Sequence, residues 1–167
     1  MIVVSNSSPL IILALAGQFD LLREFYGTVL IPNEVYEEVT IAGDGLPGST
    51  EVREASWIKT LRAPIEPSEA LVGACKGLGD GERSAIYLAS ATNANLVLID
   101  EAKARRVAKR VGMSVAGSLA LLERGARLGM VADLRACYLH LLDGGIYLNR
   151  SLLNESLARS GLDKLKD

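Results

Sequence analysis

Four separated positions carry oxygen donors where a strand-and-helix chain could bring them together: Asn6, Glu38, Glu82 and Asp100. Asn6 follows the aliphatic run Ile2-Val3-Val4-Ser5, and Asp100, with Glu101 behind it, follows Leu96-Val97-Leu98-Ile99. Glu82 falls in the first turn of a helix before that second run. Glu38 falls two turns into a helix that follows Thr28-Val29-Leu30-Ile31. Ligands of open parallel sheets bind at the carboxyl ends of the strands, which is where these side chains are expected. Each has a plain structural role as well. Glu82 complements a helix dipole, Asp100 caps the next helix, Glu38 faces solvent and Asn6 turns the chain. As a group they ask for more, because two carboxylates about 4 Å apart repel by roughly 4 kcal/mol at an effective dielectric of 20. A cation or a shared proton must offset that. Donors that are all oxygen, with no His or Cys among them, select a hard ion, Mg²⁺ or Mn²⁺. Such an ion suits in-line attack of water on a phosphodiester.

The elements that must position these groups are legible from the hydrophobic pattern. The aliphatic runs 2–5 and 96–99 read as buried strands, 28–31, 57–61 and 114–115 read as further strands, and amphipathic helices separate them. Ser8 and Pro9 suggest a helix start, with Leu10–Ala16 as its body. Further helices are expected over 20–26, 34–41, 68–75, 82–92, 102–111 and 118–128, then from Asp133 onward and over 149–158. The Gly-rich stretch 42–49 reads as a mobile loop, and 64–67 as a connector. Strands alternating with helices imply right-handed crossovers and a mostly parallel sheet. The fold class is therefore α/β, a three-layer α/β/α sandwich with a mostly parallel central sheet of four or five strands. Residues 1–167 are read as one domain, with a helical part from about 131 packing on it.

Composition narrows the function. The 18 basic and 20 acidic residues give a formal charge of −2, which argues against a protein that coats nucleic acid by bulk charge. Aromatic residues are scarce, at 5%, so the core is aliphatic. Cys75 and Cys137 lie far apart and read as small hydrophobes in helices. His140 has no second histidine or nucleophile signature beside it, and Gly79-Asp80-Gly81 is no phosphate-binding loop, since no Lys-Ser or Lys-Thr follows. Without a basic leader or a membrane-length apolar run, the expected location is the cytoplasm. Apolar residues of the early and late helices (Leu10, Ile11, Leu13, Leu21 and Leu22, or Leu152, Leu153 and Leu157) exceed what a small core is expected to cover, and so predict a homodimer.

Four ordered segments resemble the PIN-domain family. Val3-Val4-Ser5-Asn6-Ser7-Ser8-Pro9-Leu10-Ile11 is similar to its opening, and Ile31-Pro32-Asn33-Glu34-Val35-Tyr36-Glu37-Glu38-Val39 to its second motif, with Glu38 at the metal position. Leu78-Gly79-Asp80-Gly81-Glu82-Arg83-Ser84-Ala85-Ile86 is similar to the third, and Leu96-Val97-Leu98-Ile99-Asp100-Glu101 to the fourth. The resemblance runs from Met1 to about Met130. It implies a Mg²⁺- or Mn²⁺-dependent endoribonuclease, the VapC-like toxin of a toxin–antitoxin pair, acting as a homodimer with a small antitoxin protein. Asn6, Glu38, Glu82 and Asp100 are the catalytic candidates, with Asn6, Glu82, Asp100 and Glu101 as metal ligands. Ser7, Arg83, Lys103, Arg106 and Ser118 are the candidates for contact with RNA. One departure stands out: many members carry Asp where this chain has Asn6, and an amide oxygen is a neutral, weaker ligand. That departure keeps open a second reading, a catalytically weak or inactive PIN-fold module that binds RNA or protein. A third, a receiver-like Mg²⁺-binding phosphorylation switch, lacks the aspartate pair after strand one and a lysine near Val115.

Overall fold

A computed structural model of the chain describes residues 1–64 and 66–166; Ile65, inside the connector read over 64–67, and Asp167 lie outside the described residues. Five short strands form an all-parallel sheet: β1 (Val3–Ser5), β2 (Val29–Pro32), β3 (Ile58–Leu61), β4 (Leu96–Leu98) and β5 (Val115–Ala116), in the order β3-β2-β1-β4-β5. β1, β2 and β4 are aliphatic runs that the sequence marks, because a strand buried on both faces needs apolar side chains at successive positions, whereas the edge strand β3 buries only Ile58. The chain winds outward from β1 in both directions. The switch point therefore falls between β1 and β4, where parallel sheets open a crevice at their carboxyl ends.

Alternation along the strands divides the apolar residues into two cores. Val3 and Leu98 face one core, with α1 (Ser7–Leu15), α2 (Leu21–Tyr26), α8 (Ser118–Arg127), α9 (Leu134–Asp143) and α10 (Arg150–Arg159). Val4, Val97 and Ile99 face the other, with α5 (Glu69–Ala74), α6 (Asp80–Ala91) and α7 (Ala102–Arg110). Helices thus cover both faces, giving the expected three-layer sandwich. Leu10, Leu13, Leu21, Leu22, Leu153 and Leu157 are buried within the chain itself, leaving Leu152 exposed and Ile11 half-buried. Cys75 and Cys137 are both buried free thiols, in keeping with their reading as small hydrophobes. Among the described residues, no helix is long and apolar enough to cross a membrane.

Several local features differ from the pattern-based reading. The first helix begins at Ser7 rather than after Ser8, so Asn6 is its N-cap residue and Pro9 lies in the first turn, where its missing N–H costs nothing. The helix α3 (Asn33–Glu37) does not run regularly to Ile41. It passes at Glu38 into a π-helical turn, Glu38–Ala42, closed by the Gly43 N–H donating to the Glu38 carbonyl at 2.9 Å. The Gly-rich stretch after it is tied down: the Arg53 guanidinium donates to the Thr40 carbonyl and, at 2.5 Å, to the Asp44 carboxylate. Arg53 belongs to α4 (Ser49–Glu54), a short helix absent from the sequence reading. Finally, the cap of α7 is Glu101, whose carboxylate accepts the Ala104 N–H at 2.6 Å, and not Asp100.

Candidate active site

A cleft of about 700 Å³ opens at the carboxyl end of β1 and is lined by the start of α1, by α3 with its π-turn, and by the first turn of α6. Asn6 enters it from β1. Its side chain is only 2% exposed, and its Oδ1 accepts a weak hydrogen bond from Ser7 Oγ at 3.4 Å. Glu38 enters from the junction of α3 and the π-turn. An added turn residue changes the direction in which the following side chains project, and π-turns recur at functional sites for that reason.

Gly81, in the first turn of α6, is where these two groups meet. A methyl group there would lie 2.7 Å from Glu38 Oε2 and 3.2 Å from Asn6 Oδ1. The two oxygens are thus at most 5.9 Å apart, the sum of those approaches, across a hydrogen-only surface. Glu82 also lines the cleft, but its Oε2 accepts the Gly79 N–H at 3.0 Å, which fixes the start of α6. Asp80 forms an ion pair with Arg83 at the rim.

The charge pattern is one-sided. Glu34, Glu37, Glu38, Asp80 and Glu82 line the cleft, and no Lys, Arg or His among the described residues does. Focused negative potential of this kind draws cations. Glu34, Glu37 and Asp80 escaped the sequence reading. The i, i+3, i+4 spacing of Glu34, Glu37 and Glu38 was the available signal, since it places all three on one helix face.

The remaining candidates are not among the residues that line the cleft. Asp100 is directed at the N-terminus of α8, accepting from Ser118 N at 2.7 Å and from Ser118 Oγ at 2.5 Å. Burial pushes its carboxyl above the ordinary aspartate range, while the two Ser118 bonds and the nearby Arg105 charge pull it back. The strand register explains the direction. Ser5 is level with Leu98, so Asn6 is level with Ile99 and shares its face, while Asp100, one step on, turns to the opposite face. Glu101 caps α7, Lys103 Nζ donates to the Gly77 carbonyl at 2.9 Å, Arg83 is paired with Asp80, and Arg106 is exposed. Of the sequence-derived candidates, the structure gathers Asn6, Ser7, Glu38 and Glu82 in the cleft; Asp100, Glu101, Arg83, Lys103, Arg106 and Ser118 do not line it.

Among the described residues, no group of three or more His, Cys, Asp or Glu side chains is gathered tightly enough to hold a metal ion. Mg²⁺ does not require one: it keeps several waters and is commonly bound through one or two carboxylates. The Asn6 and Glu38 oxygens, converging over Gly81 in an acidic surround, fit that requirement.

A family model described as PIN domain matches residues 2–162. No curated protein matches the chain.

Proposed function

Since this chain belongs to the PIN-domain family, whose fold is of the nuclease type, we propose that its acidic cleft is a metal-dependent endoribonuclease site. The observation that carries the reading is the meeting of Asn6 Oδ1 and Glu38 Oε2 over Gly81, in a cleft lined by carboxylates and free of cations among the described residues. Asn6 and Glu38 would hold Mg²⁺ or Mn²⁺, with Glu82 and Asp80 completing its water shell through hydrogen bonds. When bound, the ion lowers the pKa of water and offsets charge building on the phosphoryl oxygens. The chain's own groups orient: the buried Asn6 amide holds a fixed acceptor, and the exposed Glu38 carboxylate accepts a hydrogen bond from the attacking water. Ser7, beside Asn6, can donate to a phosphate oxygen. No side-chain nucleophile is needed, and the products carry 5′-phosphate and 3′-hydroxyl ends. The role of toxin, the homodimer and the small antitoxin partner belong to this proposal and are supported by the family resemblance alone.

Cleavage of a labelled RNA with Mn²⁺ and with EDTA tests the reading. Cleavage that needs Mn²⁺ and disappears in Glu38→Gln supports it; cleavage that persists in EDTA overturns it. A second reading, a PIN-fold binding module without catalysis, is favoured by the lack of a three-ligand cluster among the described residues. It predicts no cleavage by the wild type and none by Asn6→Asp.

A further inference from the structure

A cleft lined by five carboxylates and, among the described residues, no cation cannot by itself attract a polyanion, so the affinity for a nucleic acid strand must come from outside it. The cations are segregated. Five of the chain's 18 Lys and Arg residues fall within the nine residues of α7, which contains no Asp or Glu. The rest of the chain, with 13 basic and 20 acidic residues, carries a formal charge of −7. Lys103, Arg106, Lys109 and Arg110 are all exposed, whereas Ala104, Val107 and Ala108 are buried. The first four follow i, i+3, i+6, i+7 spacing and form one outward stripe.

The helix dipole does not account for this stripe. It favours cations in the last turn, at Lys109 and Arg110, but disfavours them in the first turn, where Lys103 lies. Lys103 has its own partner in the Gly77 carbonyl, two residues before the Gly79–Glu82 segment that lines the cleft. That bond ties the start of the basic stripe to the segment that leads into the cleft wall. Arg106, Lys109 and Arg110 form no ion pair with any described residue.

We infer that the outer face of α7 binds the phosphate backbone of a single-stranded RNA whose neighbouring segment enters the cleft. This rests on the proposed nuclease reading for the choice of ligand but uses none of its catalytic residues. The cleft then supplies chemistry and α7 supplies affinity, which explains how a net-acidic chain holds a polyanion.

The test is fluorescence polarisation of a labelled single-stranded oligoribonucleotide in EDTA, across a salt series. The full chain is compared with the triple variant Arg106→Gln/Lys109→Gln/Arg110→Gln, whose side chains are exposed and form no ion pair with any described residue. A control triple variant, Lys59→Gln/Arg62→Gln/Arg127→Gln, removes the same charge elsewhere. Each phosphate contact contributes about −0.7 to the slope of log affinity against log salt, so the α7 variant should lose about 2 from that slope. Between 50 and 200 mM salt its affinity, already the weaker, should therefore fall about 20-fold less than that of the wild type. The control should behave as wild type. Equal affinity and slope in wild type and α7 variant, no binding by the wild type, or preference for anionic vesicles over RNA would each overturn the inference. Cleavage by an α7 variant that binds as wild type would leave the nuclease reading standing and sink only this one; sound α7 binding without Mn²⁺-dependent cleavage would do the reverse.

Discussion

Replacing Gly81 with alanine separates folding from function at the point where the cleft's two converging groups meet. In a helix, Gly→Ala gains roughly 0.5–1 kcal/mol because the unfolded glycine loses more conformational freedom. Gly81 lies in the first turn of α6, so the gain sits at the low end, and about 1–3 °C in melting temperature is expected for a chain of this size. Against this, the new methyl would lie 2.7 Å from Glu38 Oε2, too close for any real contact, and 3.2 Å from Asn6 Oδ1. Glu38 is exposed and ends in a flexible carboxylate, so it swings away at little cost to the fold. The convergence is what disappears. Disturbing the groups that hold metal ligands in place typically costs 10–100-fold in affinity, the loss expected here for Mn²⁺. Calorimetric titration with Mn²⁺ and thermal melts of the metal-free protein read the two effects apart. Unchanged Mn²⁺ affinity in Gly81→Ala would show that the meeting of Glu38 and Asn6 is incidental. A metal-free melting temperature lowered by many degrees would show instead that the contact is ordinary packing.

Asn6→Asp places a second carboxylate beside Glu38, so it should lower the metal-free melting temperature and enlarge the rise that Mn²⁺ produces; a metal-free melt unchanged from wild type would contradict the proximity of the two groups. Asp100→Ala leaves Ser118 N–H and Oγ–H without their acceptor and should cost about 1–3 kcal/mol in urea denaturation, whereas Asp100→Asn, which keeps a carbonyl oxygen, should cost less. Burial pushes the Tyr138 hydroxyl, paired with Ser156, up to about 12. The unfolded phenol ionises near 10, so stability is intact below that value and falls as pH rises toward 12. Tyr138→Phe should be less stable at neutral pH but flat across that alkaline window, as denaturant melts at stepped pH would reveal.

The sheet was the most legible part of the chain because burial on both faces leaves a direct mark. Val3-Val4, Val29-Leu30-Ile31 and Leu96-Val97-Leu98 are continuous aliphatic runs, and each proved to be a strand. Asn6 and Glu38 were legible for a related reason, as polar residues at or after strand ends. The π-turn at Glu38 was not, since one extra residue per turn leaves no local signature in a helix-forming stretch. The helix α4 was hidden by its length: Ser49–Glu54 spans fewer than two turns and buries only Ser49 and Val52. The direction of Asp100 depended on the pairing of β1 with β4, a fact about neighbours rather than about the local sequence. Gly81 sits in a Gly-rich stretch, yet its backbone is helical and its role in the cleft follows from what surrounds it.

The division of the interior by the sheet also sets an order of completion during synthesis. The core under α5, α6 and α7 draws on residues from Val4 to Val115. The other core already contains Val3, Leu10 and Leu13 yet also needs Leu134, Tyr138, Leu141, Leu153, Leu157 and Leu165. At ribosomal speeds of about 5–20 residues per second, the fifty residues from Val115 to Leu165 take several seconds to appear. During that interval one side of the nascent sheet can close while the other still presents Leu10 and Leu13 to its surroundings. The growing chain is thus two-sided in time as well as in space, and its vulnerability to aggregation is concentrated on the α1 side until α9 and α10 arrive.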